Sequence, residues 1–146
     1  MNKLDALQFM RWDECERKFI RRIEIDKERI KSIVTLALKR LEFIKAINVT
    51  NDNISFVVES YYEIIKELLV ALFLKTGLKS DNHQCLITYF YRNYPKYEHE
   101  ANLILRMSYL RNRLNYYGES IDLGFYEKYK EDFISIIEAL KNITIA

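Results

Sequence analysis

The residues that make tight turns are scarce in this sequence, which has only three glycines and one proline among 146 residues. A fold of many strands needs turns at short intervals, and glycine and proline supply much of their special backbone geometry. Their scarcity therefore argues against a β-sandwich or barrel. Hydrophobic residues make up 49% of the chain and charged residues 30%, a balance that favours a folded helical protein over a disordered one.

Cysteine is also scarce, since Cys15 and Cys85 are the only two. Two isolated cysteines do not have the pattern of a disulfide framework or a zinc site, so we expect reduced thiols, as in the cytoplasm. The longest apolar run, Leu68–Leu74, is too short to span a bilayer. The amino terminus lacks the apolar core of a signal peptide. These absences predict a cytoplasmic protein with no metal site and no membrane contact.

Several catalytic motifs are missing as well. The chain has no glycine-rich phosphate loop, no paired-carboxylate metal motif and no exposed serine–histidine set, which disfavours kinases, metal-dependent nucleases and hydrolases. We therefore expect no cofactor. The net charge of +2 is too small for a protein that binds any polyanion. Arg106, Arg111 and Arg113 nevertheless lie close together in the sequence and could form a local basic patch.

Hydrophobic periodicity predicts five main helices on short loops. The helix beginning at residue 53 is apolar over so wide an arc that we place it at the centre of a bundle. Asp26 is a predicted N-cap, and Gly77 is a predicted helix-ending residue. The predicted fold is all-α, an antiparallel up-and-down bundle in a single domain of residues 25–146, preceded by an arm or short helix at 1–24. The five helices are expected at 26–47, 53–76, 82–94, 97–117 and from 122 onward.

The segment Tyr109–Gly118 is unusually rich in planar polar side chains for a helix end. Arginine carries a fork of donors that suits phosphate, asparagine offers a neutral donor and acceptor, and tyrosine offers a stacking face. This combination favours a nucleotide or RNA site. The predicted binding residues in the segment are Arg111, Asn112, Arg113, Asn115 and Tyr117.

Each of these side chains also has a structural interpretation. Arg111 could form a salt bridge with Glu63 or Glu59, and the tyrosines could pack at the bundle end with Gly118 as a cap. His83 begins a predicted helix, where the macrodipole lowers its pKa and favours the neutral imidazole. His83 is a further predicted binding residue, and its alternative is a structural role.

The order of four short segments resembles the HEPN family, the nucleotide-binding domain of higher eukaryotes and prokaryotes. These segments are Val58–Glu63, Gly77–Ser80, Asn82–Ile87 and Leu110–Gly118. The resemblance covers roughly residues 55–143. It implies an all-α bundle that forms a homodimer and binds nucleotides or RNA. It also implies a nucleotidyltransferase partner, as in toxin–antitoxin pairs, and in many members a metal-independent ribonuclease activity.

The ribonuclease members share an arginine, a polar residue and, after a short spacer, a histidine. Arg111 matches the arginine and Asn112 the polar residue, but no histidine follows them, and Tyr116 stands in its place. The ordinary pKa of histidine is about 6.5, whereas that of tyrosine is about 10, so only about one tyrosine in a thousand is deprotonated at pH 7. That makes tyrosine a poorer general base at neutral pH by roughly 4 kcal/mol.

Three functions therefore stay open. The first is a nucleotide- or RNA-binding protein that works with a nucleotidyltransferase and lacks the usual catalysis. The second is a metal-independent endoribonuclease whose catalytic residues are Arg111, Asn112 and either Tyr116 or His83 in place of the missing histidine. The third is a non-catalytic structural or adaptor dimer.

Overall fold

The computed structural model describes residues 7–146 and is an all-α bundle, as predicted. A single 3₁₀ turn at Pro95–Tyr97 separates the fourth and fifth helices. In chain order the elements are α1 (Trp12–Lys18), β1 (Ile20–Arg22), α2 (Lys27–Lys45), α3 (Ile54–Lys75), β2 (Leu78–Ser80), α4 (His83–Asn93), α5 (Glu98–Tyr117) and α6 (Leu123–Ile145).

Helix α3 lies at the centre of the bundle and packs against α2, α4, α5 and α6. Both of its predicted apolar faces are buried, since Ile64, Ile65 and Leu68 are each at most 1% exposed. A helix that is apolar nearly all round must be covered on more than one side. The four helices around α3 provide that cover, and two of them, α4 and α5, carry the predicted site residues.

The predicted helix ends are confirmed. Asp26 accepts a hydrogen bond from the backbone N–H of Arg29 at 3.1 Å, which caps α2. Gly77, with φ +79°, follows the end of α3, and Gly118, with φ +67°, ends α5. Both glycines occupy the left-handed region that other residues rarely adopt.

The amino-terminal arm contains both a short helix and a strand. Residues of β1 pair with β2 in antiparallel register, with Arg21 opposite Lys79. Farther up the arm, the Thr88 hydroxyl donates to the carbonyl of Met10 at 2.8 Å. The arm is therefore fastened along α4. The sequence did not predict the two strands, because each is only three residues long and forms only when the arm docks.

The prediction of reduced cysteines is wrong. Cys15 on α1 and Cys85 on α4 form a disulfide across 70 residues of sequence, with their Cα atoms 5.6 Å apart. That separation lies within the ordinary disulfide range. It arises because docking of the arm brings α1 onto α4. Since disulfides persist mainly in oxidising compartments, the cysteines give no support to the predicted cytoplasmic location.

Within residues 7–146, no helix has the length and apolarity needed to cross a membrane. The predicted site residues lie on α4 and α5, at the bundle end where these two helices meet α3.

Candidate functional site

An open cleft of about 460 Å³ lies between the start of α4 and the end of α5. We call it the α4–α5 cleft. Its walls come from α3, α4, α5, the residues that precede α4, and the residue that follows α1. The lining residues are Phe19, Tyr62, Asp81, Asn82, His83, Gln84, Ser108, Arg111, Asn112 and Tyr116. The cleft thus brings together four predicted site residues, Arg111, Asn112, Tyr116 and His83.

Arg111 forms an ion pair in the wall of this cleft. Its Nη2 lies 3.4 Å from Oε1 of Glu63 on α3, and its side chain is 26% exposed. Glu63 is also bound, and more closely, by Lys66, whose Nζ is 2.6 Å from Oε2. The predicted salt bridge with Glu63 is therefore present. Arg111 is the more distant of the two cations that share this carboxylate.

The remaining donors of Arg111 are incompletely used. Nη1 donates to Oδ1 of Asn112 at 3.4 Å, near the long limit for a hydrogen bond. Within residues 7–146, Nε of Arg111 and Oε1 of Glu63 are buried without a hydrogen-bond partner. Unsatisfied buried polar atoms cost free energy. If the guanidinium of Arg111 rotated toward an anion in the cleft, that anion would supply a hydrogen-bond partner for Nε.

His83 is the first residue of α4 and faces the same cleft. Burial lowers its pKa, and the positive charges of Lys66 and Arg111 lower it further, against a smaller opposing effect of the carboxylates of Glu63 and Glu67. At neutral pH the imidazole is therefore neutral and can accept a proton. The expected position of His83 at the helix amino terminus is confirmed, and its place in the same cleft as Arg111 is new.

A hydrogen-bonded chain of polar side chains joins the three helices beneath the cleft. Gln84 donates from Nε2 to the hydroxyl of Ser108 at 2.7 Å. Burial raises the pKa of Tyr62, and a hydrogen bond with Ser108 partly offsets that effect. These contacts link α4, α5 and α3. The link between α4 and α5 lies one residue from His83 and three residues from Arg111.

Two aromatic side chains at the rim expose ring surface. Tyr116 is 73% exposed and Phe19 is 38% exposed. Exposed aromatic faces beside a cationic group suit the stacking of a base. Phe19 reaches the rim only because the arm is fastened along α4.

Three of the predicted binding residues lie outside the cleft. Arg113 forms an ion pair with Glu119, and its guanidinium lies over the ring of Tyr117, 4.0 Å from the centroid. Tyr117 and Asn115 are exposed, and neither lines the cleft. Arg113 thus contacts the loop after α5, whereas Arg111, two positions earlier, lines the cleft.

Sequence reasoning missed other members of the site. Phe19, Asp81 and Ser108 line the cleft, but no motif singles them out. Tyr62, Asn82 and Gln84 also line it, and they belong to segments that we noted for their resemblance without assigning these residues to the site. Among the described residues, no group of three or more histidine, cysteine, aspartate or glutamate side chains could hold a metal ion.

Comparison of the chain with protein-family models, with curated proteins and with solved structures yields no match.

Proposed function

We propose that this protein is an HEPN-like nucleotide- or RNA-binding protein and that the α4–α5 cleft is its binding site. The observation that carries the proposal is the convergence of Arg111, Asn112, Tyr116 and His83, from two different helices, on one open cleft. In the full form of the proposal, the protein is a homodimer that works with a nucleotidyltransferase partner of toxin–antitoxin type.

Arg111 supplies the phosphate contact in this proposal. Its two present partners lie at 3.4 Å, and a partly exposed ion pair contributes only about 0–1 kcal/mol. A phosphate offers shorter, bidentate, charge-assisted hydrogen bonds, which are roughly twice as strong as neutral ones. Glu63 keeps its close contact with Lys66, so release of Arg111 leaves no carboxylate without a cation.

Asn112 and the rim aromatics would recognise the rest of the ligand. The side-chain amide of Asn112 can both donate and accept hydrogen bonds, as bases and sugar hydroxyls do. Stacking on an aromatic ring contributes about 1–3 kcal/mol per base. The exposed ring of Tyr116 is the more accessible of the two rim surfaces.

Arg111 and Arg113 provide a matched pair for the test. Arg111→Ala and Arg113→Ala make the same chemical change two positions apart on α5, but only Arg111 lines the cleft. We expect fluorescence anisotropy with a labelled single-stranded RNA to show about tenfold weaker binding for Arg111→Ala, a loss of about 1.4 kcal/mol. In a plot of log association constant against log salt concentration, the slope for that variant should be smaller in magnitude by about 0.7, the loss of one phosphate contact. Equal losses for both variants would contradict a specific role for the cleft.

A metal-independent endoribonuclease is the second candidate, and the position of His83 favours it. A neutral imidazole in the cleft could accept the proton of a ribose 2′-hydroxyl as that oxygen attacks the adjacent phosphorus. Tyr116 would donate a proton to the leaving 5′-oxygen, and the products would be a 2′,3′-cyclic phosphate and a 5′-hydroxyl. Tyr116 by itself is the weaker candidate for the base because of its high ordinary pKa.

The two candidates separate in an assay of mixed RNA in EDTA. Cleavage that disappears in both Arg111→Ala and His83→Gln would establish the ribonuclease. Binding without cleavage supports the first proposal. If neither binding nor cleavage occurs, the third function, a non-catalytic adaptor dimer in which Arg111 serves only its ion pair with Glu63, gains support. Sedimentation of the purified protein tests the dimer, and co-purification tests the nucleotidyltransferase.

A further inference from the structure

A second concave surface lies between α2 and α6 at the end of α3, and it shares no lining residue with the α4–α5 cleft. We call it the α2–α6 groove. Its volume of about 690 Å³ falls within the range of small-molecule sites. Its apolar lining is Ile25, Ile30, Val34, Leu38 and Ile145, and its lysines are Lys27, Lys31, Lys75 and Lys141.

The apolar lining of the groove is elongated. Ile30, Val34 and Leu38 follow one another at four-residue intervals along α2, which gives a stripe of about 12 Å at the helical rise. Val34 forms part of the buried core, whereas Ile145 on the opposite wall is 62% exposed. A stripe of this shape suits a linear apolar chain of roughly ten carbons.

The groove carries two lysines that have no ionic partner. Four lysines and no aspartate or glutamate line it. Lys141 pairs with Glu138 at 3.5 Å, whereas Lys27 and Lys31 are exposed and form no ion pair within residues 7–146. Lys75 donates to the carbonyls of Ile143 and Ala146, which places it at the same end of the bundle as the start of α2. The cations thus gather at one end of an apolar stripe.

We propose that the α2–α6 groove binds a free medium-chain carboxylate of roughly ten carbons. The acyl chain would lie along the stripe of Ile30, Val34 and Leu38, and the carboxylate would lie at Lys27 and Lys31. An apolar surface with two exposed, unpaired lysines at one end complements an amphipathic anion in both shape and charge. Neither a polar anion nor an uncharged apolar ligand would use both features.

The first test compares ligands on the unaltered protein. Isothermal titration calorimetry below the micelle concentration should show binding of dodecanoate and at least tenfold weaker binding of dodecyltrimethylammonium. Across hexanoate, octanoate and decanoate, affinity should rise about fourfold per methylene, the equivalent of about 0.8 kcal/mol, and level off beyond the length of the stripe. Equal binding of the cationic probe, or no binding of dodecanoate, would overturn the proposal.

The second test uses variants with matched controls on the same helix. Leu38→Glu places a carboxylate in the groove, whereas Leu36→Glu places one at a residue that is 51% exposed and outside it. We expect the first variant to lose dodecanoate binding and the second to keep it. Lys27→Gln with Lys31→Gln should weaken binding about tenfold, and Lys39→Gln should not. Equal effects of variant and control would overturn the assignment. If a variant fails to fold, the ligand comparison on the unaltered protein still tests the proposal.

Other occupants give distinct results. A dimer that Leu38→Glu dissociates without any fatty acid would assign this face to a second copy of the chain and overturn the proposal. Flotation with anionic vesicles, in the absence of binding to monomeric dodecanoate, would assign it to a membrane surface and overturn it as well.

Discussion

Arg111 and Glu63 form an ion pair at 3.4 Å in the wall of the α4–α5 cleft, although Glu63 already has a closer cation in Lys66 at 2.6 Å. The Glu63 carboxylate therefore contacts two cations, and its contact with Arg111 is the longer and weaker one. An anion that enters the cleft competes with Glu63 for Arg111. The strength of that competition determines how much of the positive charge of Arg111 is available to a ligand.

Glu63→Gln should increase the affinity of the cleft for RNA or a nucleotide. The amide can still accept from Lys66, but it no longer competes as an anion for Arg111. A gain of about 1 kcal/mol, roughly fivefold in affinity, is expected from removal of one partly exposed ion pair. Anisotropy titrations at fixed salt measure it. Glu67→Gln is the control, since Glu67 lies 3.7 Å from Lys66 and forms no ion pair with Arg111. An equal gain in both variants would indicate a general charge effect.

His83 should make the folded protein less stable as the pH falls. Burial lowers its pKa in the folded state, so below the ordinary value of about 6.5 the unfolded chain binds a proton more readily than the folded one. The contribution of His83 to stability is thus complete above that pH. It declines as the pH falls through 6.5 toward the lowered pKa.

Urea unfolding between pH 5.5 and 7.5 measures this effect. His83→Gln should flatten the pH dependence of the free energy of unfolding relative to the wild type. Proton NMR titration of the His83 imidazole gives an independent measurement of its pKa. A His83 pKa at or above 6.5 would contradict the burial argument.

The disulfide should contribute much of the stability of the fold. It closes a loop of 70 residues, and the chain-entropy relation gives about 4 kcal/mol for a loop of that size. Cys15→Ala with Cys85→Ala should therefore lower the free energy of unfolding in urea by up to that amount. Dithiothreitol should destabilise the wild type and leave the double variant unchanged. If the wild type unfolds identically with and without reductant, the bond is absent from the purified protein.

The helices could be predicted from the sequence because their signals are local. The cap at Asp26 and the apolar faces of α3 depend on residues within a few positions of one another. The disulfide, the β1–β2 pair and the position of Phe19 could not be predicted, since each depends on docking of the arm against α4. Their partners lie far away in the sequence, and no periodicity links them.

The candidate site divides in the same way. The polar segment at the end of α5 directed attention to Arg111 and Asn112, and the charge of Arg111 suggested an ion pair with Glu63 or Glu59 without choosing between them. The sequence could not separate Arg111 from Arg113, because only the packing of α5 decides which side chain faces the cleft. Nor could it place His83 in the same cleft as Arg111, a relation that depends on how α4 and α5 meet.

Gly118 allows α5 to end beside the cleft, and its replacement should be costly for conformational reasons alone. Its φ is +67°, and a Cβ at this position would meet no atom within 4 Å. Gly118→Ala therefore introduces strain without a steric clash. The expected loss is about 1–2 kcal/mol in the free energy of unfolding. Gly118→Asn should lose less, because asparagine tolerates this region better than alanine does.

Gly124→Ala is the control for Gly118→Ala, since Gly124 is helical and has no positive φ. At Gly124, alanine has the higher helix propensity, which stabilises the variant. This gain is opposed by a close contact, because the added Cβ would lie 3.3 Å from Oδ2 of Asp122. If Gly118→Ala were no less stable than the wild type in urea, the left-handed geometry at the end of α5 would be wrong.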